Sequence, residues 1–191
     1  MDSVIIENNT YRITEVSTPR MMFKPSEYGL RPNMRCTACY RGYWCDYQIK
    51  DSNLFLKDFY MYNEAQKYPT LNGVDVLSEE VTSERTKSES DKMGHKKYED
   101  VFLFMPYTGK MLVGEEKVFD FYVNEGRQKC WVYKKLIECT FEEGKLISLI
   151  DYSCLAEKLR EYIRNKELSG KYSRYEEIPE SYWGKLKWVL K

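Results

Sequence analysis

From Tyr43 to Lys50 the chain alternates, with Tyr43, Cys45, Tyr47 and Ile49 on one parity and Trp44, Asp46, Gln48 and Lys50 on the other. A period of two sends successive side chains to opposite faces, so this stretch predicts a half-buried strand. Lys50-Asp51-Ser52-Asn53 carries turn chemistry, and Leu54, Phe55, Leu56 and Phe59 resume an apolar run. Together they predict a β-hairpin from about Tyr40 to Phe59 with a four-residue connection. The pattern returns between Trp131 and Ile150. There Tyr133, Ile137, Cys139 and Phe141 alternate with Lys134, Leu136, Glu138 and Thr140, Glu142-Glu143-Gly144-Lys145 turns, and Leu146 to Ile150 runs back. The two hairpins align with Ile49 on Phe141 and Leu54 on Leu146.

Shorter signals flank these two. Val4-Ile5-Ile6 and Tyr11-Arg12-Ile13-Thr14, separated by Glu7-Asn8-Asn9, predict a first hairpin. Prolines and a glycine between Thr18 and Pro32 predict an irregular loop, and Tyr62 to Gly73 is turn-rich. Ser78 to Lys97 has almost no large apolar residue. Such a segment buries too little to offset the entropy of ordering, so a long mobile loop is predicted over about 78–97. Val101 to Met105, turned by Pro106-Tyr107-Thr108-Gly109 into Lys110 to Val113, predicts a third hairpin. Val118 to Val123 predicts a further strand.

The period changes after Ile150. Leu155, Leu159, Tyr162 and Ile163 recur at helical spacing, with Asp151 or Ser153 as N-cap and Gly170 as the stop. A second helix is predicted from Pro179, burying Tyr182, Trp183, Leu186, Val189 and Leu190. Strands first and helices last predict an α+β fold. It is mainly an antiparallel β-sheet or partly closed barrel built from hairpins, with C-terminal α-helices packed on it. The β domain covers 1–150 and the helical tail 151–191, as one globular unit.

Composition narrows the function classes. At 191 residues the chain can bury a substantial core. Lys plus Arg equals Asp plus Glu at 30 each, which argues against nucleic acid as partner, because phosphate binding asks for a basic excess. No stretch approaches the ~18 apolar residues of a membrane span, and the acidic, polar N-terminus does not read as a signal peptide. The expectation is a cytoplasmic protein with no membrane partner, whose six cysteines are thiols.

Candidate chemistry rests on few residues. Cys36 and Cys39 form a C-x-x-C, half of a zinc site without a second pair. A strand follows the pair, where a redox motif needs a helix N-terminus. Structural thiols are the favoured reading, and no metal or cofactor is expected. His95 is the only histidine and falls in the predicted loop, where nothing orients a general base. Asp46, Asp58, Glu138 and Asp151 are carboxylates that could converge, as almost any chain this acidic would offer. The sharpest feature is Arg35, Tyr40, Arg41, Tyr43 and Trp44, which packs arginine and large aromatics into ten residues as binding hot spots do. Tyr107 and Lys110 could complete that patch. The plainer reading, and the favoured one, turns Tyr43 to the core, has Trp44 cover a second layer and pairs Arg41 with a nearby acid such as Asp46. The tail interleaves Trp183 and Trp188 with lysines and arginines, but its glutamates dilute that charge, and a docked amphipathic helix is favoured over a membrane or nucleic-acid surface.

One combination of motifs is more specific. Cys36-Thr37-Ala38-Cys39-Tyr40-Arg41-Gly42-Tyr43 occurs with Tyr68-Pro69, Asn72-Gly73-Val74, Tyr107-Thr108-Gly109-Lys110 and Phe141-Glu142-Glu143-Gly144-Lys145-Leu146. It resembles a group of bacterial proteins that share a TAC-aromatic-RGY hairpin and a YTGK turn, over roughly residues 28 to 150. The resemblance implies a shared fold and a bacterial source, and it carries no mechanism. Where that group has a His-Met-Gly-Phe-like stretch, this chain has Asn124-Glu125-Gly126-Arg127.

The leading expectation is a non-enzymatic cytosolic protein-binding module with a protein partner, of a type that suits a toxin-neutralising (immunity-type) or defence-associated role. The alternative is a small-molecule or nucleotide-binding enzyme with 78–97 as its lid. A weaker one is single-stranded nucleic-acid binding on the sheet face.

Overall fold

The computed structural model describes residues 2–18, 22–34, 39–63, 68–77, 96–122, 128–168, 179, 181 and 183–190. Residues 78–95 of the loop predicted over about 78–97, with His95 among them, Arg35, Cys36, Val123, Asn124–Arg127, the helix stop Gly170, Tyr182 and the Leu190 side chain lie outside that description.

Among the described residues, nine strands form one mixed, mainly antiparallel sheet: β1 (Ser3–Ile6), β2 (Asn9–Val16), β3 (Tyr43–Lys50), β4 (Asn53–Met61), β5 (Lys96–Tyr98), β6 (Leu103–Phe104), β7 (Gly109–Lys117), β8 (Tyr133–Glu142) and β9 (Lys145–Asp151). Both principal hairpins are present, as β3–β4 and β8–β9, and so is the first, as β1–β2. The order β3-β1-β2-β7-β8-β9-β4, with β3 also bonded to β4, makes a ring. Among the described strands of the ring, only β1 and β3 run parallel, Ser3 facing Asp46 and Ile6 facing Ile49.

Alternation fills the ring. Tyr43, Cys45 and Tyr47 of β3 point inward with Tyr11 and Ile13 of β2, Met111 and Val113 of β7, and Cys139 and Phe141 of β8. A one-residue register shift in β4 sends Leu54 and Leu56 inward before it and Phe59 and Met61 inward after it. An unbroken alternation would expose Phe59 and Met61; the bulge keeps both halves of the strand apolar toward the core. Each such buried side chain contributes roughly 1.5–3 kcal/mol.

The ring closes where its two principal hairpins touch. Asn53 faces Lys145. Leu54 N–H donates to Gly144 O (2.8 Å) and Leu146 N–H to Ser52 O (2.7 Å). These are equivalent positions of the two hairpins, so the internal likeness of the sequence becomes the seam of the fold. Gly144 has φ +84°, and a Cβ there would lie 2.5 Å from Met105 O. Only glycine serves both the turn and the close approach.

The outer face of β7 and β8 is buried as well. Helix α1 (Ser153–Leu168) crosses it with Ala156, Leu159 and Ile163, joined by Trp183 and Leu186 around Leu112 and Leu136. Asp151 accepts the Ser153 N–H (2.7 Å), and Ser153 Oγ accepts the Leu136 N–H (3.1 Å), fixing the strand-to-helix junction.

Several expectations are corrected. The second helix is a 3-10 segment, Gly184–Leu190, so α1 is the one α-helix among the described residues. The strand predicted from Val118 is not formed over its described residues, 118–122: Phe119–Phe121 is a 3-10 turn. β6 and β7 do not form a hairpin, because β6 pairs with β4 while β7 lies between β2 and β8. The polar stretch ends before Lys96, since Lys96–Tyr98 pairs with Phe59–Met61.

Candidate functional site

The arginine- and aromatic-rich stretch sits where the chain enters β3. Gly42, at φ +72°, brings its Cα against Asn33, and a Cβ there would lie 2.3 Å from Asn33 O. Gly42 N–H donates to Cys39 O, and Tyr62 N–H donates to Gly42 O. This tight corner presents Tyr40, which is 76% exposed, beside Arg41.

Arg41 is held rather than free. Its guanidinium binds Asp2 at 2.7 Å and lies 4.7 Å from the Tyr43 ring. Burial works against its charge, but Asp2 more than offsets that, and the group is held above its ordinary range. Asp2 also accepts the Cys45 N–H (3.1 Å), which ties the corner to β3. The plainer reading is therefore right that Arg41 pairs with an acid, but the acid is Asp2. Asp46 instead accepts the Ser3 hydroxyl at 2.5 Å.

Tyr43 is buried, as the plainer reading has it, with its phenol pushed up to about 12, chiefly by burial. Its place in the proposed patch is corrected: it is the floor under Arg41. Trp44 lies half-buried on the outer face, stacked on Tyr60 (5.1 Å, 14°) and edge-on to Tyr62 (6.0 Å). Lys97 approaches the Tyr60 ring at 5.3 Å. Asp46 and Asp58 face each other across β3–β4 on the same side. Asp58 accepts the Asp100 N–H and pairs with Lys57.

Tyr107 and Lys110 belong elsewhere. Tyr107 is buried, its ring against Phe141 and its hydroxyl donating to Lys110 O (2.9 Å). Lys110 reaches Glu138 at 3.0 Å. Glu138 is buried on the outer face of β8, where it also accepts the Trp188 indole N–H (2.6 Å). This pair anchors the C-terminal segment to the sheet. Of the four carboxylates weighed, Asp46 and Asp58 are brought together, while Glu138 and Asp151 are each engaged at a different place.

Comparison with protein-family models, with curated proteins and with solved structures finds no match.

Cys39 Sγ donates to Tyr43 O (3.6 Å), and no group of three or more His, Cys, Asp or Glu that could hold a metal occurs among the described residues. Cys45 and Cys139 are buried, their thiols pushed up by burial. No helix among the described residues is long and apolar enough to cross a membrane.

Sequence reasoning missed Asp2, Tyr60 and Tyr62. The hairpin turn alone pairs Lys50 with Asn53 and would set Trp44 opposite Phe59. The bulge moves Tyr60 into that place, and a one-residue bulge leaves no mark in an apolar run.

Proposed function

We propose that this protein is a protein-binding module that engages its partner through the corner before β3 and the aromatic face beside it. The observation that carries this reading is the exposed Tyr40 beside an Arg41 fixed by Asp2, with Trp44 and Tyr60 stacked on the adjoining outer face. Pre-positioned arginine and aromatic side chains lose little conformational entropy on binding, which is why they dominate binding energy at interfaces. A toxin-neutralising or defence-associated role would suit a module of this kind and is the biological setting we propose for it.

The experiment is a native pull-down from the source cell with intact mass spectrometry, repeated with Arg41→Ala and Trp44→Ala. A stoichiometric protein partner is expected, with each substitution weakening it by about tenfold or more. If both variants retain every partner unchanged, the corner is not the binding surface. A retained small molecule with no protein partner would favour an enzyme instead.

A further inference from the structure

Asn72-Gly73 is the one Asn-Gly pair in the chain. It forms a two-residue turn with φ +50° and +79°. Leu71 and Val74 close it, each donating its N–H to the other's carbonyl at 2.9 Å. Positive φ at both central residues makes this a type I′ turn, for which Asn-Gly is a favoured sequence. The turn does not account for where the asparagine side chain goes. Asn72 Nδ2 donates to Val101 O at 2.7 Å, 29 residues away.

Val101 is the centre of a strained segment. Asp100 has φ +51° and Phe102 +45°, a conformation unusual outside glycine and an outlier for a bulky aromatic. Such backbone persists only where its surroundings hold it. Asp58 Oδ1 accepts the Asp100 N–H (2.8 Å), Lys57 O accepts the Val101 N–H (2.7 Å), and Asn72 holds the Val101 carbonyl. Val101 is buried, so losing the amide leaves a buried carbonyl without its donor.

The same amide sits where it can be lost. An asparagine side chain is open to attack by the backbone nitrogen of the next residue, and glycine offers that nitrogen with no side chain in the way. Asn72 and Gly73 are both exposed, and a Cβ at Gly73 would meet nothing within 4 Å, so water reaches the turn. We propose that Asn72 is a site of spontaneous deamidation, with water as the only co-reactant, and that the reaction unlatches residues 100–102. The Gly73 nitrogen bonds to Asn72 Cγ and gives up its proton, and the Cγ–Nδ2 bond breaks to release ammonia. Water then opens the cyclic imide at either carbonyl, leaving aspartate or isoaspartate. Either product lacks the Nδ2 donor, so the bond to Val101 O is lost. That bond restrains the side chain while it lasts, so folding slows the reaction without stopping it. The proposal is independent of the protein-binding reading.

The test follows the full chain at mildly alkaline pH, folded and in urea, by mass spectrometry of the peptide containing Asn72 and by amide hydrogen exchange. The expected result is deamidation at Asn72 in the folded protein, slower than in urea, with the other asparagines unchanged. The modified fraction should exchange faster at Asp100 and Val101 but not in β1 and β2. Asn72→Asp should show that faster exchange from the start; Asp-Gly suits the same turn, so the change isolates the latch. Gly73→Asn keeps a residue that tolerates positive φ and hinders the nitrogen, so the modified fraction at position 72 should disappear. No modification of the folded protein, modification spread over the other asparagines, or modified chains with unchanged exchange at 100–101 overturns the proposal. So does an Asn72→Asp variant that exchanges as the parent does, or faster throughout.

Discussion

Cys130 and Cys139 are buried thiols whose ordinary value near 9 is pushed up to about 12, chiefly by burial. The raised value means the folded state disfavours the thiolate. The associated stability is whole below about pH 9 and is lost as pH climbs toward 12. The urea midpoint should therefore drop from pH 9 upward, and Cys139→Ala should make that drop shallower. Iodoacetamide at pH 8 should modify exposed Cys154 and reach Cys130 and Cys139 only in urea. A folded protein that labels all of them at one rate would refute this. The inward placement of Tyr43, Cys45, Tyr47, Cys139 and Phe141 was legible, because period two alone assigns faces. The partner of Arg41 was not. Asp2 reaches it through the parallel pairing of β1 with β3, a contact between segments some forty residues apart that no local pattern encodes.

Glu138 shows how one element holds another. It is a buried carboxylate whose two oxygens meet Lys110 and the Trp188 indole. Trp188→Phe keeps an aromatic ring and removes the donor. Leaving that oxygen unsatisfied should cost about 1–3 kcal/mol in urea unfolding; an unchanged midpoint would show that the contact does not hold the segment. Both hairpins, α1 and its apolar face were readable from periodicity. The Gly184–Leu190 segment was readable as something that buries Trp183 and Leu186, but not as a 3-10 segment, since i, i+3 spacing is common to both helix types. The strand expected from Val118 failed over 118–122 for a related reason: a short apolar run does not distinguish a strand from a tight turn.

At the scale of the whole molecule, the closing contact between the hairpins decides the shape. Gly144→Ala places a Cβ against Met105 O and the Phe104 ring at positive φ. The change should cost about 2 kcal/mol or more in equilibrium unfolding. If Gly144→Ala is neutral, the seam is looser than its two hydrogen bonds imply. The sheet class and the partial closure were readable from hairpins followed by helices. The order of strands was not, because β7 inserts next to β2 across a long connection rather than beside its sequence neighbour β6.

That order has a consequence for how the chain is made. β1 to β4 pair with one another, so a nascent chain can assemble them first. Until β7 arrives, β2 has a bare edge, and until Lys145 arrives, so does the start of β4. Two sticky edges thus stay open while roughly the latter half of the protein is still leaving the ribosome. Rapid translation or a holding chaperone would shorten that interval of exposure to wrong neighbours.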